Sequence, residues 1–327
     1  MTRAGPPPGV LAVDSGGSGL RAALAVHGKV HGAPLASSQP VRTGPRGIDA
    51  GHLLEQLLPM ARRLMADAEV AELAAVAVGA AGLATLGDEL RAELPSALER
   101  ELGVTRLALA ADAVTAYMGA LGGQRGAVVA AGTGMIAVGT DLASWHRADG
   151  WGHLLGDCGG GAWIGRAGLE AAFRAFDGRP GGSAVLRARA EGMFGPLPGL
   201  PGLLYPRTDR PAVLAAFAPE VAACAESDPV AGDILRAAAH SIAESAAAVC
   251  PPSGEPEVAL TGGLFELGAP LLVPLRKELA ERLPHARQVP AAGDPLHGAV
   301  LIAVDLANGE LALPRDHRML YVVTSEA

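Results

Sequence analysis

The chain has 327 residues, half of them apolar, with 26 basic side chains against 34 acidic and a net charge of −8. That length and apolar content can fill a sizeable core and predict two domains, while the acidic balance argues against nucleic acid or an anionic membrane as the main partner. Three scattered cysteines (Cys158, Cys224, Cys250) form no metal pair and no disulfide framework, the longest apolar run (73–84) is too short to span a bilayer, and no apolar leader follows Met1, so a cytoplasmic enzyme is expected.

Residues 9–14 are an apolar run that predicts a strand, turned by Ser15-Gly-Gly-Ser-Gly19 into a second strand at 20–26. Residues 17–22 formally fit G-x-G-x-x-G/A, but the ribose-binding acid expected about twenty positions on is missing, since no acid occurs between Asp14 and Asp49. No G-K-[S/T] of a Walker A loop occurs, and lysine appears only at Lys29 and Lys277. There remains a hairpin in which Gly16, Gly17 and Ser18 wrap a phosphate and Asp14 holds hydrated Mg2+. A plain hairpin with a capping aspartate uses the same residues.

Helices are expected at 48–68 and 88–102, and strands at 74–79 and 106–111. Asp112 then opens a helix at 112–121, either as its N-cap or as a general base for an attacking hydroxyl. Residues 126–139 repeat the strand–glycine turn–strand plan around Gly132-Thr133-Gly134, which is a second phosphate hairpin or an ordinary turn; two copies at that offset predict related halves. Next comes a stretch, 150–166, with seven glycines and two of the three tryptophans. Glycine gives up backbone entropy, which is tolerable where a backbone must approach a ligand. Trp151, Gly152, His153 and Asp157 offer a flat apolar surface and polar groups suited to a sugar, although His153 could equally pack or cap. Cys158 reads as a small filler.

Helices are expected at 165–176, 211–225 and 230–249, the last broken by Pro251-Pro252, with a Gly- and Pro-rich surface excursion at 178–206. Residues 258–264 look like a shorter third copy of the turn, with Gly262 and Gly263 at its bend. A helix at 296–305 closes the pattern, and the segment from 314 takes no assignment. Strands alternating with helices mean an α/β protein.

The order of these pieces resembles the N-acetylglucosamine kinase branch of the BadF/BadG/BcrA/BcrD ATPase family, in the sugar kinase/Hsp70/actin superfamily, over residues 10–305. The family's first phosphate hairpin falls on Asp14 to Ser18, its second on Gly132-Thr-Gly134, its adenosine motif on Leu260-Thr-Gly-Gly263, its catalytic aspartate on Asp112 and its sugar signature on Gly150 to Ile164. This chain departs from it at Cys158 (usually Glu), Gly160 (usually Ser) and Met135 (commonly Ser), and Thr43 lies where an N-terminal loop often gives the sugar an asparagine. The resemblance implies a two-domain actin-like, ribonuclease H-like ATPase fold with an interdomain cleft: residues 1–118, completed by a C-terminal helix at 296–327, and residues 119–295. It implies ATP and Mg2+ as cofactors and a homodimer. The expected reaction is phosphorylation of an amino sugar, N-acetylglucosamine or glucosamine. The alternatives are a catalytically silent sugar sensor and an ATPase that activates a radical dehydratase; the latter is disfavoured by cysteines too dispersed for an iron–sulfur cluster.

Overall fold

A computed structural model describes residues 8–17, 19–44 and 46–324; Ser18, an expected phosphate contact, lies outside them. The chain runs through β1 (Gly9–Gly16), β2 (Gly19–Val26), β3 (Lys29–Ser37), the short pair β4 (Thr43–Gly44) and β5 (Gly47–Ile48), α1 (Ala50–Asp67), β6 (Leu73–Ala80), α2 (Leu83–Leu86), α3 (Asp88–Leu102), β7 (Arg106–Ala111) and α4 (Asp112–Leu121). It continues with β8 (Gly126–Ala131), β9 (Met135–Thr140), β10 (Trp145–Asp149), α5 (Gly161–Asp177), α6 (Ala184–Phe194), α7 (Leu200–Leu204), α8 (Arg210–Ala215), α9 (Ala218–Cys224), α10 (Pro229–Val249), β11 (Glu257–Thr261), α11 (Ala269–Arg282), β12 (Arg287–Pro290), α12 (Pro295–Asn308) and β13 (Leu320–Thr324).

Two compact units result. The first holds the chain up to Arg125, Thr140–Trp145 and the chain from Pro290. Its sheet runs β13-β7-β6-β1-β2-β3, with β1, β6 and β7 parallel. The three parallel strands are buried almost throughout, as parallel strands covered on both faces must be. Their register aligns large residues on one face: Leu11, Val13, Val76, Val78, Leu107 and Leu109 pack with α1 and α3 leucines such as Leu53, Leu57, Leu90 and Leu94. Alternate residues point the other way. They are mostly alanines (Ala12, Ala77, Ala108), whose small size lets α12 lie against β1, β6 and β7, with α4 beside it.

The second unit holds Gly126–Gly139 and His146–Val289. Its sheet runs β10-β9-β8-β11-β12, with β8 and β11 parallel, and its core gathers Phe217, Leu235, Ile242, Leu271 and Leu275. Both sheets begin with three consecutive strands and add later ones on the far side of the first: β6, β7 and β13 beyond β1, and β11 and β12 beyond β8. Among the described residues no helix is long and apolar enough to cross a membrane.

Several expected elements differ. Residues 178–206 are not a surface excursion: Ser183 caps α6 through the Leu186 amide, and Leu186, Ala190, Leu197 and Leu200 are buried in the core of the second unit. Residues 211–225 are two helices, because Pro219 has no amide to continue the first and sits instead in the first turn of α9. The third glycine turn at 258–264 has no return strand; β11 passes into a 3-10 segment, Gly263–Leu267. Residues 296–327 are not one helix either, since α12 ends at Gly309 and β13 then pairs antiparallel with β7.

Candidate functional site

In the first unit, Asp14 and Asp112 emerge at the carboxyl end of the parallel strands. Asp14 aligns with Gly79 of β6, Gly79 aligns with Ala110 of β7, and Asp112 follows that strand. Their strands are therefore two positions apart, about 10 Å. The carboxyl edge of an α/β sheet is where such folds place ligands. Between β1 and β2, the space beside Gly16 and Gly17 is open: a side-chain carbon on either would meet no atom within 4 Å. Gly19 takes φ +129 and leaves no room for a side chain against the Ser37 carbonyl, so the turn is tied to β3.

Asp14 is not a bare metal ligand. Arg21 donates to its Oδ2 from Nε at 3.1 Å and Nη2 at 2.6 Å, and from Nη1 to Asp294 Oδ2 at 2.7 Å. Asp294 in turn caps α12 by accepting from the His297 amide at 2.9 Å. Burial opposes the charge on the Arg21 guanidinium, but its two carboxylate partners win and raise its pKa. Among the described residues no group of three or more His, Cys, Asp or Glu side chains is placed to hold a metal. A protein cage for Mg2+ is thus not built here. Asp14 is the carboxylate that would be offered to a hydrated ion carried by substrate phosphates, since Mg2+ commonly keeps its waters and takes one or two carboxylates.

Asp112 is the first residue of α4 rather than its N-cap; that position is Ala111, which offers no side-chain bond. Its Oδ1 accepts from the Ala113 amide at 2.9 Å. Thr43 lies exposed on β4, paired with Ile48.

The second unit joins the other expected residues in one hydrogen-bonded assembly. The Gly132 amide is used inside its own turn, donating to the Gly134 carbonyl at 2.9 Å. The Gly132 and Thr133 carbonyls accept from the first two amides of α5, Gly161 and Ala162, both at 2.8 Å. Thr133 is exposed at the tip. Gly262 has φ +103 and packs its α-carbon against the Ala131 carbonyl, which sets the β11 turn beside this hairpin; Gly263 faces open space.

The glycine-rich stretch is organised by a residue that sequence reasoning passed over. Asp149, the last residue of β10, accepts from the amides of Asp157 at 2.6 Å and Cys158 at 2.8 Å, one on each carboxylate oxygen. Asp157 accepts from the Gly152 amide at 2.9 Å, and its other oxygen turns toward Gly134, where a side chain would collide with it. Both aspartates hold left-handed backbone, φ +58 and +55. Burial, and then the nearby Asp149 charge, raise the Asp157 pKa against the lowering bond from Gly152. The Cys158 thiol is raised by burial first and by Asp149 next, so it is no activated nucleophile. Arg147, also unforeseen, donates to the Asp149 and Gly150 carbonyls and lies 4.3 Å from the centre of the Trp151 ring. Trp151 is 60% exposed and His153 partly so. A rigid backbone frame thus presents an exposed indole, an imidazole and a carboxyl on one loop.

A Chromobacterium violaceum protein of solved structure, provisionally named an N-acetylglucosamine kinase, is 28% identical, with 91% of this chain and 99% of that one covered and a TM-score of 0.68. A Porphyromonas gingivalis structure with the same provisional name shares the fold at 18% identity and a TM-score of 0.67, over 90% of this chain and 99% of that one. The Clostridium acetobutylicum N-acetylmuramic acid/N-acetylglucosamine kinase is 28% identical over 178 residues, 52% of this chain, which spans about half (55%) of that relative's length. The fold is the actin-like ATPase fold of sugar kinases. The sequence pattern of the BadF/BadG/BcrA/BcrD ATPases matches residues 11–303, and the chain belongs to that family.

Proposed function

We propose that this chain transfers the γ-phosphoryl group of ATP to a hydroxyl of an amino sugar, N-acetylglucosamine or glucosamine. The observation that carries the reading is the loop of residues 150–158, where Trp151, His153 and Asp157 stand on a fixed backbone, in a chain 28% identical to the Chromobacterium violaceum protein across most of its length. Trp151 offers its face to the apolar side of a pyranose, Gly152 brings the backbone close, and His153 and Asp157 hydrogen-bond its polar groups, with Thr43 as a further contact.

Asp112 accepts the proton of the sugar hydroxyl as its oxygen attacks the γ-phosphorus, and the bond to ADP breaks. Phosphoryl transfer depends mainly on position and charge neutralisation, so one carboxylate suffices as base. Gly16, Gly17 and Ser18 hold phosphates from the first hairpin, and the turn of Gly132, Thr133 and Gly134 presents Thr133 to them from the second. The Thr133 hydroxyl is the donor there, since the Gly132 amide is used in its turn. Gly262 and Gly263 border the adenosine. Asp14 would hold the Mg2+ ion, which would supply charge neutralisation to the transferring phosphoryl group. In this reading the first unit is the catalytic-base domain and the second the sugar and adenosine domain, working in the cytoplasm as a homodimer.

The test is ADP release by the purified protein with ATP, Mg2+ and a panel of hexoses and amino sugars. Turnover that requires an amino sugar supports the proposal; ATP hydrolysis indifferent to every sugar refutes it.

A further inference from the structure

We infer that Asp149 is a positioning residue that orders the wall formed by residues 150–158 for sugar binding. The inference rests on the kinase reading for its link to sugar, but its structural half stands alone. Asp149 sits where β10 ends and the glycine-rich stretch begins, and its two carboxylate oxygens collect the amides of Asp157 and Cys158 from across the loop. The loop is drawn closed at its base. Asp157, held there, reaches back to the Gly152 amide between Trp151 and His153, so the order of the sugar-facing residues passes through Asp149.

Three further features show that the pocket for this carboxylate is built. Gly156 lies against Asp149 Oδ1, and a side chain there would collide with it. Arg147 fastens the main chain on either side of the corner, through the Asp149 and Gly150 carbonyls, and covers Trp151 with its guanidinium. Finally, Asp149 and Asp157 both adopt left-handed backbone, which costs energy in a non-glycine residue, less for aspartate than for most, and is held here by these bonds. A charged acceptor for two amides is the strong form of such a bond. Asparagine cannot replace it, because its one oxygen serves one amide and its NH2 group faces the other.

The experiment compares wild type with Asp149→Asn and, from the opposite side of the contact, Gly156→Ala. Each variant is measured for the KM of the sugar, the KM of ATP, and hydrogen exchange at the amides of residues 157 and 158. The expected result for both is a sugar KM raised tenfold or more, an ATP KM within twofold of wild type, and faster exchange at those two amides. A merely structural role would move both KM values together or lower kcat alone, and that outcome overturns the assignment. Unchanged exchange in Asp149→Asn overturns it as well. Should wild type phosphorylate no sugar, the kinase reading falls by that result, while the exchange data still decide whether Asp149 closes the loop.

Discussion

Replacing Asp112 by asparagine separates two roles that one position could serve. In the structure Asp112 opens α4 and its Oδ1 accepts from the Ala113 amide at 2.9 Å. Asparagine keeps that oxygen, so the helix start survives. It also loses a negative charge in the first turn, worth about 0.3–1 kcal/mol. In a domain of this size that lowers the melting temperature by a few degrees at most, at roughly 2–4 °C per kcal/mol. As a general base, by contrast, Asp112 contributes about a hundred- to ten-thousand-fold in rate. At 1.36 kcal/mol per decade this is about 3–5 kcal/mol of transition-state stabilisation. The assay is sugar-dependent ADP release in a coupled spectrophotometric format, run beside thermal unfolding and ATP binding on the same preparations. The expected outcome is a rate loss of at least a hundredfold with ATP affinity and melting temperature nearly unchanged. A variant that retains turnover within tenfold of wild type would show that Asp112 only starts a helix.

Three other substitutions probe the rest of the framework. Ser183→Ala removes the cap on α6 and takes a hydroxyl from the buried Asp228 that caps α10; about 1 kcal/mol for the cap and 1–3 for the deprived carboxylate predict a loss of about 2–4 kcal/mol in chemical denaturation, and a change below 1 would show that the paired caps are not coupled. Asp157 has a raised pKa in the fold, so the folded state binds its proton more tightly than the unfolded chain, and this group's contribution to stability falls as pH rises from the ordinary aspartate range through the raised value. Asp157→Asn should flatten that part of the stability–pH curve, and identical curves for the two proteins would remove the assignment. Arg21→Gln deletes the two bonds that orient Asp14; titration of activity with Mg2+ should show a higher half-saturating concentration with the sugar KM unmoved, and an unaltered Mg2+ titration counts against Asp14 as the metal aspartate.

Much of the architecture is legible because its signals are local. The runs ending at Asp14 and Ala111 are continuous and apolar, as buried parallel strands are, and the glycine turns punctuate them. The juxtaposition of Asp14 and Asp112 is not legible, since it depends on β6 inserting between β1 and β7 in a fixed register. Residues 178–206 mislead because glycine and proline count as loop formers, whereas Ser183 and the buried Leu186 and Ala190 carry a capped helix through them. Asp149 escapes notice for another reason. It stands one residue before the glycine-rich stretch, and its work is to accept backbone amides eight and nine positions ahead, which leaves no trace in residue type. Its place between a strand and the Gly150-Trp-Gly152 turn is the only available hint.

The division of the first unit along the chain has a consequence for biosynthesis. Its sheet is finished only by β13, which pairs with the outer edge of β7, and its alanine-lined face only by α12. Everything that builds the second unit, from Gly126 to Val289, is translated in between. At ribosomal speeds of about 5–20 residues per second, that interval lasts on the order of ten seconds or more. During it the nascent first unit carries a bare strand edge and an uncovered apolar surface, the features that recruit chaperones and seed aggregation. The second unit can meanwhile complete its fold, so the part that is written first is the part that matures last.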